Sequence, residues 1–326
     1  MNVCFLFPGQ GSQYYGMAHD LVTKHQYAQN LFNIAEKHTG LILHEYTTVH
    51  QGSYTANSLA GQIALYTMSC SIYDILYDIL DNTIDTKHTA VAGHSFGSFA
   101  ALYSARCYDF VTGLDIIVHR HKYITELNLS NTGMLVCLFH KHSLYAENME
   151  ICQQLCKQTM QYFESNNEHV ICEIANYNAN NQFVLSGHMQ ALEYIIQQTA
   201  LDASYGIIKT IKLHTELAYH SSLLTKAGEQ LESYLNTIAL NSTNIYQTMP
   251  IIWNNTGRLD NNHLTLSKFF ASQLSEPVFW EDSMKYAIEE LHIDNFYELG
   301  PSKILCNILK HRHCNRSIHT TQIDCP

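Results

Sequence analysis

Positive charge is scarce in this chain: 18 Lys and Arg stand against 29 Asp and Glu, a net charge of -11 over 326 residues. A nucleic-acid binder needs a basic surface to neutralise phosphates, so that class is excluded. A small anionic substrate is not excluded, because one buried Arg can bind one carboxylate whatever the total charge. No apolar run reaches the roughly 18 residues of a membrane span, so no membrane association is expected. No basic segment or cleavage site precedes the strand-like run at Val3–Phe7, so no signal peptide is visible and a cytoplasmic location is expected. The ten Cys include no Cys-x-x-Cys pair, and most sit inside apolar runs, which reads as reduced core thiols. The five Pro are scattered, and there are no repeats, low-complexity tracts or long linkers. What is there, 46% hydrophobic and 14% charged residues, describes a folded globular chain. Its length suffices for a large core and more than one substructure.

The apolar pattern divides the chain. Val3–Phe7 reads as a buried strand that stops at Pro8 and Gly9. Helical patterns follow at about 27–38 and 58–80. Thr89–Ala92 is a short buried strand ended by Gly93. Ser98–Cys107 is small and apolar and reads as a tightly packed helix, and 111–127 as another. From there the order is strand Met134–His140, helix 146–164, strands Val170–Ala175 and Gln182–Ser186, helix 188–200 and strand Ile207–Leu213. That is the βαββαβ order of a ferredoxin-like unit. The predicted fold is therefore α/β: a large α/β-hydrolase-like domain with a parallel sheet (1–129 and 211–326) and an inserted small ferredoxin-like domain (130–210). A cleft between two such domains is a common place for an active site.

The central motif is Gly-His-Ser-Phe-Gly at 93–97, which fits the Gly-x-Ser-x-Gly nucleophile elbow. A strand enters, the chain turns sharply and a helix leaves, presenting Ser95 where free N–H groups favour developing negative charge. A Ser nucleophile needs a base. With 20 His in the chain, a candidate alone proves nothing. His94 is too close in sequence to swing onto Ser95. His220, after a strand and before a helix, reads on its own as a structural or surface His. The second motif, Gly-Gln-Gly at 9–11, follows the first strand directly. Its backbone N–H groups could form an oxyanion hole, although alone it reads as an ordinary tight turn.

Taken together the segments resemble the malonyl-CoA:acyl carrier protein transacylase family, close to the free-standing, trans-acting acyltransferases of polyketide synthases. The resemblance rests on ordered blocks over nearly the whole chain: Phe-Pro-Gly-Gln-Gly-Ser-Gln at 7–13, the elbow at 93–97, and Asp109 and Phe110 followed by Arg120, His121 and Lys122. It continues through Asn-Tyr-Asn at 176–178, Leu-Ser-Gly at 185–187, Ala-Tyr-His-Ser at 218–221, Gln273 and Leu274, Pro-Val-Phe-Trp at 277–280, and Glu-Leu-Gly-Pro-Ser-Lys-Ile-Leu at 298–305.

The resemblance implies an acyltransferase that moves a malonyl group from malonyl-CoA to the phosphopantetheine thiol of an acyl carrier protein, for polyketide or fatty acid synthesis. It implies Ser95 as nucleophile, His220 as its base, and the backbone N–H groups of Gln10 and Phe96 as the oxyanion hole. Gln62, Tyr219 and Asn178 would line the acyl site, and Arg120 would bind the malonyl carboxylate through a bidentate fork. A main-chain carbonyl near Gln273 would orient His220 in place of an acid. No bound cofactor and no metal are expected, and the protein is expected to be a monomer.

Two positions depart from the family. Ser98 stands where Glu usually follows the elbow glycine, and Tyr219 where malonyl-selective relatives often carry Phe. The alternative use of the same site is an acyl-carrier-protein hydrolase, against which Arg120 weighs. A common esterase would place its His near the C-terminus, whereas a long segment follows His220 here. A non-catalytic docking subunit is disfavoured by the intact set Ser95, His220, Gln10 and Arg120. A carrier protein, typically acidic, would need a local basic patch on this acidic chain. Lys303, Lys310, Arg312 and Arg316, joined by His311 and His313, form the richest one.

Overall fold

The computed structural model describes residues 2–48, 58–80, 88–238, 249–259, 265–310 and 317–326. The first strand, β1 (Val3–Phe7), forms the middle of a five-stranded sheet. Its neighbours are β2 (Thr89–Gly93) and β8 (Asn295–Leu299); β7 (Ile251–Ile252) and β9 (His319–Ile323) close the two edges. Every pairing in this sheet is parallel. Buried parallel strands read as continuous apolar runs because both faces are covered, as β1 and β2 do.

Register positions the site. Phe7 pairs with Gly93, so β1 and β2 end side by side and both loops leave from the same edge of the sheet. The turn carrying Gln10 thereby meets the elbow carrying Ser95. That meeting leaves no room for side chains. A Cβ on Gly97 would lie 2.0 Å from the carbonyl oxygen of Phe7, and one on Gly93 2.3 Å from the backbone of Gly97 and Ser98. Close backbone approach is why the elbow needs both glycines.

The second sheet is antiparallel and spans Thr132–Lys212. It comprises β3 (Thr132–Phe139), β4 (Cys172–Ala179), β5 (Gln182–His188) and β6 (Ile207–Lys212) in the order β4-β5-β3-β6. With helices Tyr145–Ser165 and Met189–Leu201 this is the ferredoxin-like βαββαβ order. It has its own apolar cluster, built on Leu135, Cys137, Phe183 and Leu185 against Cys152, Leu155, Leu192 and Ile195. The opposite face of the same sheet, with Met134, Val136 and Val184, turns toward the main core.

The small sheet is stitched to the large body through β4. Tyr177 N–H donates to Val278 O (2.9 Å) and Val278 N–H to Ala175 O (2.8 Å). Strand β4 runs on to Ala179, beyond the Ala175 expected from the apolar run. Asn176, Tyr177 and Asn178 interrupt the pattern because the two Asn side chains face the cleft. The helix after the elbow ends at Ser104 rather than Cys107. Cys4, Cys70, Cys107, Cys137, Cys152, Cys156, Cys172 and Cys306 are free and buried, as apolar packing groups.

Candidate active site

The elbow opens where β2 ends. Ser95 adopts φ 50°, a left-handed conformation unusual for a residue with a Cβ, and begins the single 3-10 turn Ser95–Gly97 that leads into helix Ser98–Ser104. His220 also has positive φ, 58°. Strained backbone of this kind persists only where the surroundings over-determine it. Here they do. Gln273 Nε2 donates to the Ser95 carbonyl at 2.6 Å, Asn254 Oδ1 accepts the Ser95 N–H at 3.4 Å, and His220 N–H donates to Leu274 O at 2.9 Å.

Between these two strained residues, Ser95 Oγ and His220 Nε2 lie 2.6 Å apart. His220 Nδ1 is 2.9 Å from the carbonyl oxygen of Glu276. A carbonyl only accepts, so Nδ1 carries the proton and Nε2 presents a lone pair to the Ser95 hydroxyl. Burial above all, with the nearby His94 and Arg120 acting in the same direction and the carbonyls of Glu276 and Gln273 partly opposing it, brings the His220 pKa down to about 3. The imidazole is therefore neutral at ordinary pH, the form a general base requires. The orienting oxygen with the direct hydrogen bond belongs to Glu276, three residues beyond Gln273. Glu276 precedes Pro277, which confines it to extended backbone (φ -88°, ψ 151°). Gln273 contributes in another way, by holding the Ser95 carbonyl.

A cavity of about 310 Å³ opens in front of the pair. Gln10, His94, Ser95, Asn178, Tyr219 and His220 line it, and its outer wall is apolar, with Met134, Val136 and Val184 on one side and Ile304, Leu305 and Ile308 on the other. Glu298, fully buried at the end of β8, accepts the N–H groups of Leu305 and Cys306 at 3.1 and 2.8 Å. It fixes the start of helix Ile304–Lys310 against the cavity. Asn178 Oδ1 accepts from His94 Nε2 at 2.8 Å, and the His94 ring meets Trp280 edge-on at 5.1 Å. His94 is thus engaged away from Ser95, and burial holds its pKa below the usual value.

Behind the cavity wall sits Arg120, on helix Phe110–Glu126 and only 2% exposed. Its guanidinium lies 5.2, 5.7 and 5.9 Å from the rings of Tyr219, Phe96 and Phe99. Its Nε and Nη1 have no hydrogen-bond partner, and no carboxylate lies within 4 Å of it, among the described residues. Burial is the largest influence on its pKa and pulls it down; the Tyr219 hydroxyl beside it works the other way. A buried cation without a counter-charge is costly. Tyr219 OH is also 3.5 Å from Gln10 Nε2, tying the arginine's neighbour to the loop after β1. Gln62 is fully buried on helix Leu59–Ile79, with Nε2 3.4 Å from His121 Nδ1. Phe96 follows Ser95 in the 3-10 turn, its ring buried beneath Arg120.

Sequence reasoning placed the orienting carbonyl near Gln273 without singling out Glu276, and it missed Asn254. Glu276 acts through its backbone, which leaves no side-chain signature beyond the following Pro277. Asn254 sits just past β7, itself only two residues long.

The acyl transferase domain family matches residues 4–311. A malonyl CoA-acyl carrier protein transacylase of Bacillus subtilis is 27% identical over 310 residues, 95% of this chain and 71% of that one. A polyketide biosynthesis malonyl CoA-acyl carrier protein transacylase, PksC, of Bacillus subtilis strain 168 is 27% identical over 94% of this chain and 96% of its own. The crystal structure of a malonyl CoA-acyl carrier protein transacylase from Clostridium perfringens superposes with a TM-score of 0.82 at 24% identity, covering 100% of this chain and 94% of that one. With a strand-turn-helix serine, a neutral histidine at hydrogen-bond distance and a family match over nearly its whole length, the chain belongs to the acyl transferase domain family.

Proposed function

We propose that the protein transfers a malonyl group from malonyl-CoA to the phosphopantetheine thiol of an acyl carrier protein, in fatty acid or polyketide synthesis. The observation that carries the substrate choice is Arg120, a buried guanidinium with unpartnered N–H groups beside the Ser95–His220 pair. The malonyl carboxylate supplies the missing anion, and its thioester carbonyl then reaches Ser95.

His220 Nε2 takes the Ser95 proton as Oγ attacks the thioester carbonyl. The oxyanion of the tetrahedral intermediate is held by the N–H groups of Gln10 and Phe96. As that intermediate collapses, the carbon–sulfur bond breaks and the imidazolium protonates the departing coenzyme A thiolate. The carrier's thiol then enters, gives its proton to His220 and attacks the Ser95 ester; the returning proton restores the Ser95 hydroxyl. The fixed Glu276 carbonyl stabilises the imidazolium in each half-reaction without a carboxylate. Gln62, Tyr219 and Asn178 shape the acyl site around Arg120.

In this reading residues 130–210 form a small domain set into a large one (1–129 and 211–326), and the pantetheine arm enters between them along the apolar wall. The helix Ile304–Lys310 lines that entrance, with Lys303 and Lys310 exposed at its ends, which supports docking of an acidic carrier there. Arg312, Arg316, His311 and His313 lie outside the described residues. The protein acts in the cytoplasm as a monomer. Among the described residues no helix is long and apolar enough to cross a membrane. Water as acceptor is not favoured, because a hydrolase for simple acyl groups has no use for Arg120.

Brief exposure to equal concentrations of malonyl-, methylmalonyl- and acetyl-CoA, followed by intact mass measurement, tests the substrate. The malonyl adduct should dominate. Dominance of acetyl would remove Arg120 from the acyl site.

A further inference from the structure

The nucleophile's backbone is held from a side that the motifs do not reveal. Asn254, 2% exposed, is placed by its own main chain, whose carbonyl accepts from Phe279 N–H at 2.8 Å. Its side-chain Oδ1 accepts the Ser95 N–H (3.4 Å), and its Nδ2 donates to Ser98 Oγ in a short contact. The Ser98 hydroxyl in turn donates to the Gly93 carbonyl at 3.1 Å. These links run from the last residue of β2, through Ser98 and Asn254, back to the serine two residues further on.

The direction of each link is fixed chemically. A Gly93 carbonyl only accepts, so the Ser98 proton points at it, and a lone pair of Ser98 Oγ is left for the amide NH2. A Ser95 N–H only donates, so the amide oxygen must face it. Both ends select the same amide orientation. This also accounts for Ser98 in place of the family's usual Glu: a hydroxyl can donate to Gly93 and accept from Asn254 at once, which an ionised carboxylate cannot.

We propose that Asn254 is a positioning residue for Ser95, and that Ser98 sets the orientation of its amide. The Ser95 carbonyl is already tethered by Gln273, so with Asn254 both peptide groups of the strained nucleophile are held by side chains. Glu276, three residues after Gln273, orients His220, so these two residues help to set the distance between nucleophile and base. The proposal rests on Ser95 being the acylated residue.

The test is single-turnover acylation by malonyl-CoA, with thermal unfolding of the same samples. Asn254→Leu keeps the shape and removes both polar atoms. Asn254→Asp keeps an acceptor oxygen for the Ser95 N–H, whether charged or neutral, and lets the Ser98 hydroxyl rotate to meet it. The Leu variant should lose about tenfold or more in acylation rate with the concentration for half-saturation unchanged. The Asp variant should recover most of that loss. Ser98→Ala should show a smaller loss of the same kind, and combined with Asn254→Leu it should add little more.

Equal loss in the Leu and Asp variants, or a loss confined to half-saturation, overturns the proposal. Should the Leu variant not fold, Ser98→Ala and Asn254→Asp decide: wild-type acylation in the former, or a loss in the latter as deep as that of Ser95→Ala, overturns it. A wild-type protein that takes up no label on Ser95 would instead overturn the acyl-transfer reading itself.

Discussion

Replacing Arg120 tests how substrate choice is built. Arg120→Met keeps most of the side-chain volume between the rings of Phe96, Phe99 and Tyr219 and removes the charge. A buried charge-assisted pair that loses one partner costs roughly 2–5 kcal/mol, which is about a 30- to 5,000-fold fall in kcat/KM. That fall should appear with malonyl-CoA. Acetyl-CoA has no distal carboxylate, so its turnover should stay level or rise. Stability should move the other way. The free protein buries this cation with two unpartnered nitrogens, so Met in its place should leave Tm unchanged or raise it. Steady-state kinetics with both thioesters and a thermal melt of the free enzyme provide the numbers. Equal losses on both substrates, together with a lowered Tm, would refute the reasoning and make Arg120 a structural residue.

The other consequences can be checked separately. His220→Ala should slow Ser95 acylation by roughly 10²- to 10⁴-fold, measured by rapid quench, with an unchanged far-ultraviolet spectrum. With His220 held neutral down to about pH 3, the acid limb of the acylation rate attributable to this group should lie well below pH 6. The linkage has a definite sign: the folded pKa is depressed, so the unfolded chain binds the extra proton. The His220 contribution is complete above about pH 6.5 and is lost as pH falls toward 3, so His220→Gln should flatten stability against pH in that window. Lys303→Glu with Lys310→Glu should slow transfer to the carrier protein while leaving acylation by malonyl-CoA intact. Added salt should do the same to the wild type, because screening weakens encounter between surface charges. Normal transfer by the reversed variant at low salt would move the docking surface elsewhere.

Much of the architecture was legible because it is written in side-chain pattern. The strands β1 and β2 are unbroken apolar runs ended by glycine, and the close approach of Gly93, Gly97 and Phe7 demands those glycines. The alternation of strands and helices across 132–212 gave the second sheet its order. The edges of the large sheet were harder. With only two residues, β7 is too short for any periodicity, and β9 is a half-exposed run, His-Thr-Thr-Gln-Ile.

Ser95 could be read from a local motif. His220 could not be singled out among 20 His from its own neighbourhood, because its partner lies 125 residues away. The roles of Glu276 and Asn254 were hidden for related reasons. One orients His220 by a backbone carbonyl, and the other reaches Ser95 across 159 residues. Contacts made through the backbone or across the fold leave no spacing rule in the sequence.

The central claim is a covalent relay through Ser95, and it is tested most directly by following one malonyl group through both half-reactions. The protein is mixed with malonyl-CoA, stripped of free thioester, digested and mapped by mass, and a parallel sample receives phosphopantetheinylated carrier protein. One malonyl adduct should appear on the peptide containing Ser95 and disappear as the same mass appears on the carrier. An adduct on another residue, or one on Ser95 that is released as free malonate rather than passed to the carrier, would contradict it.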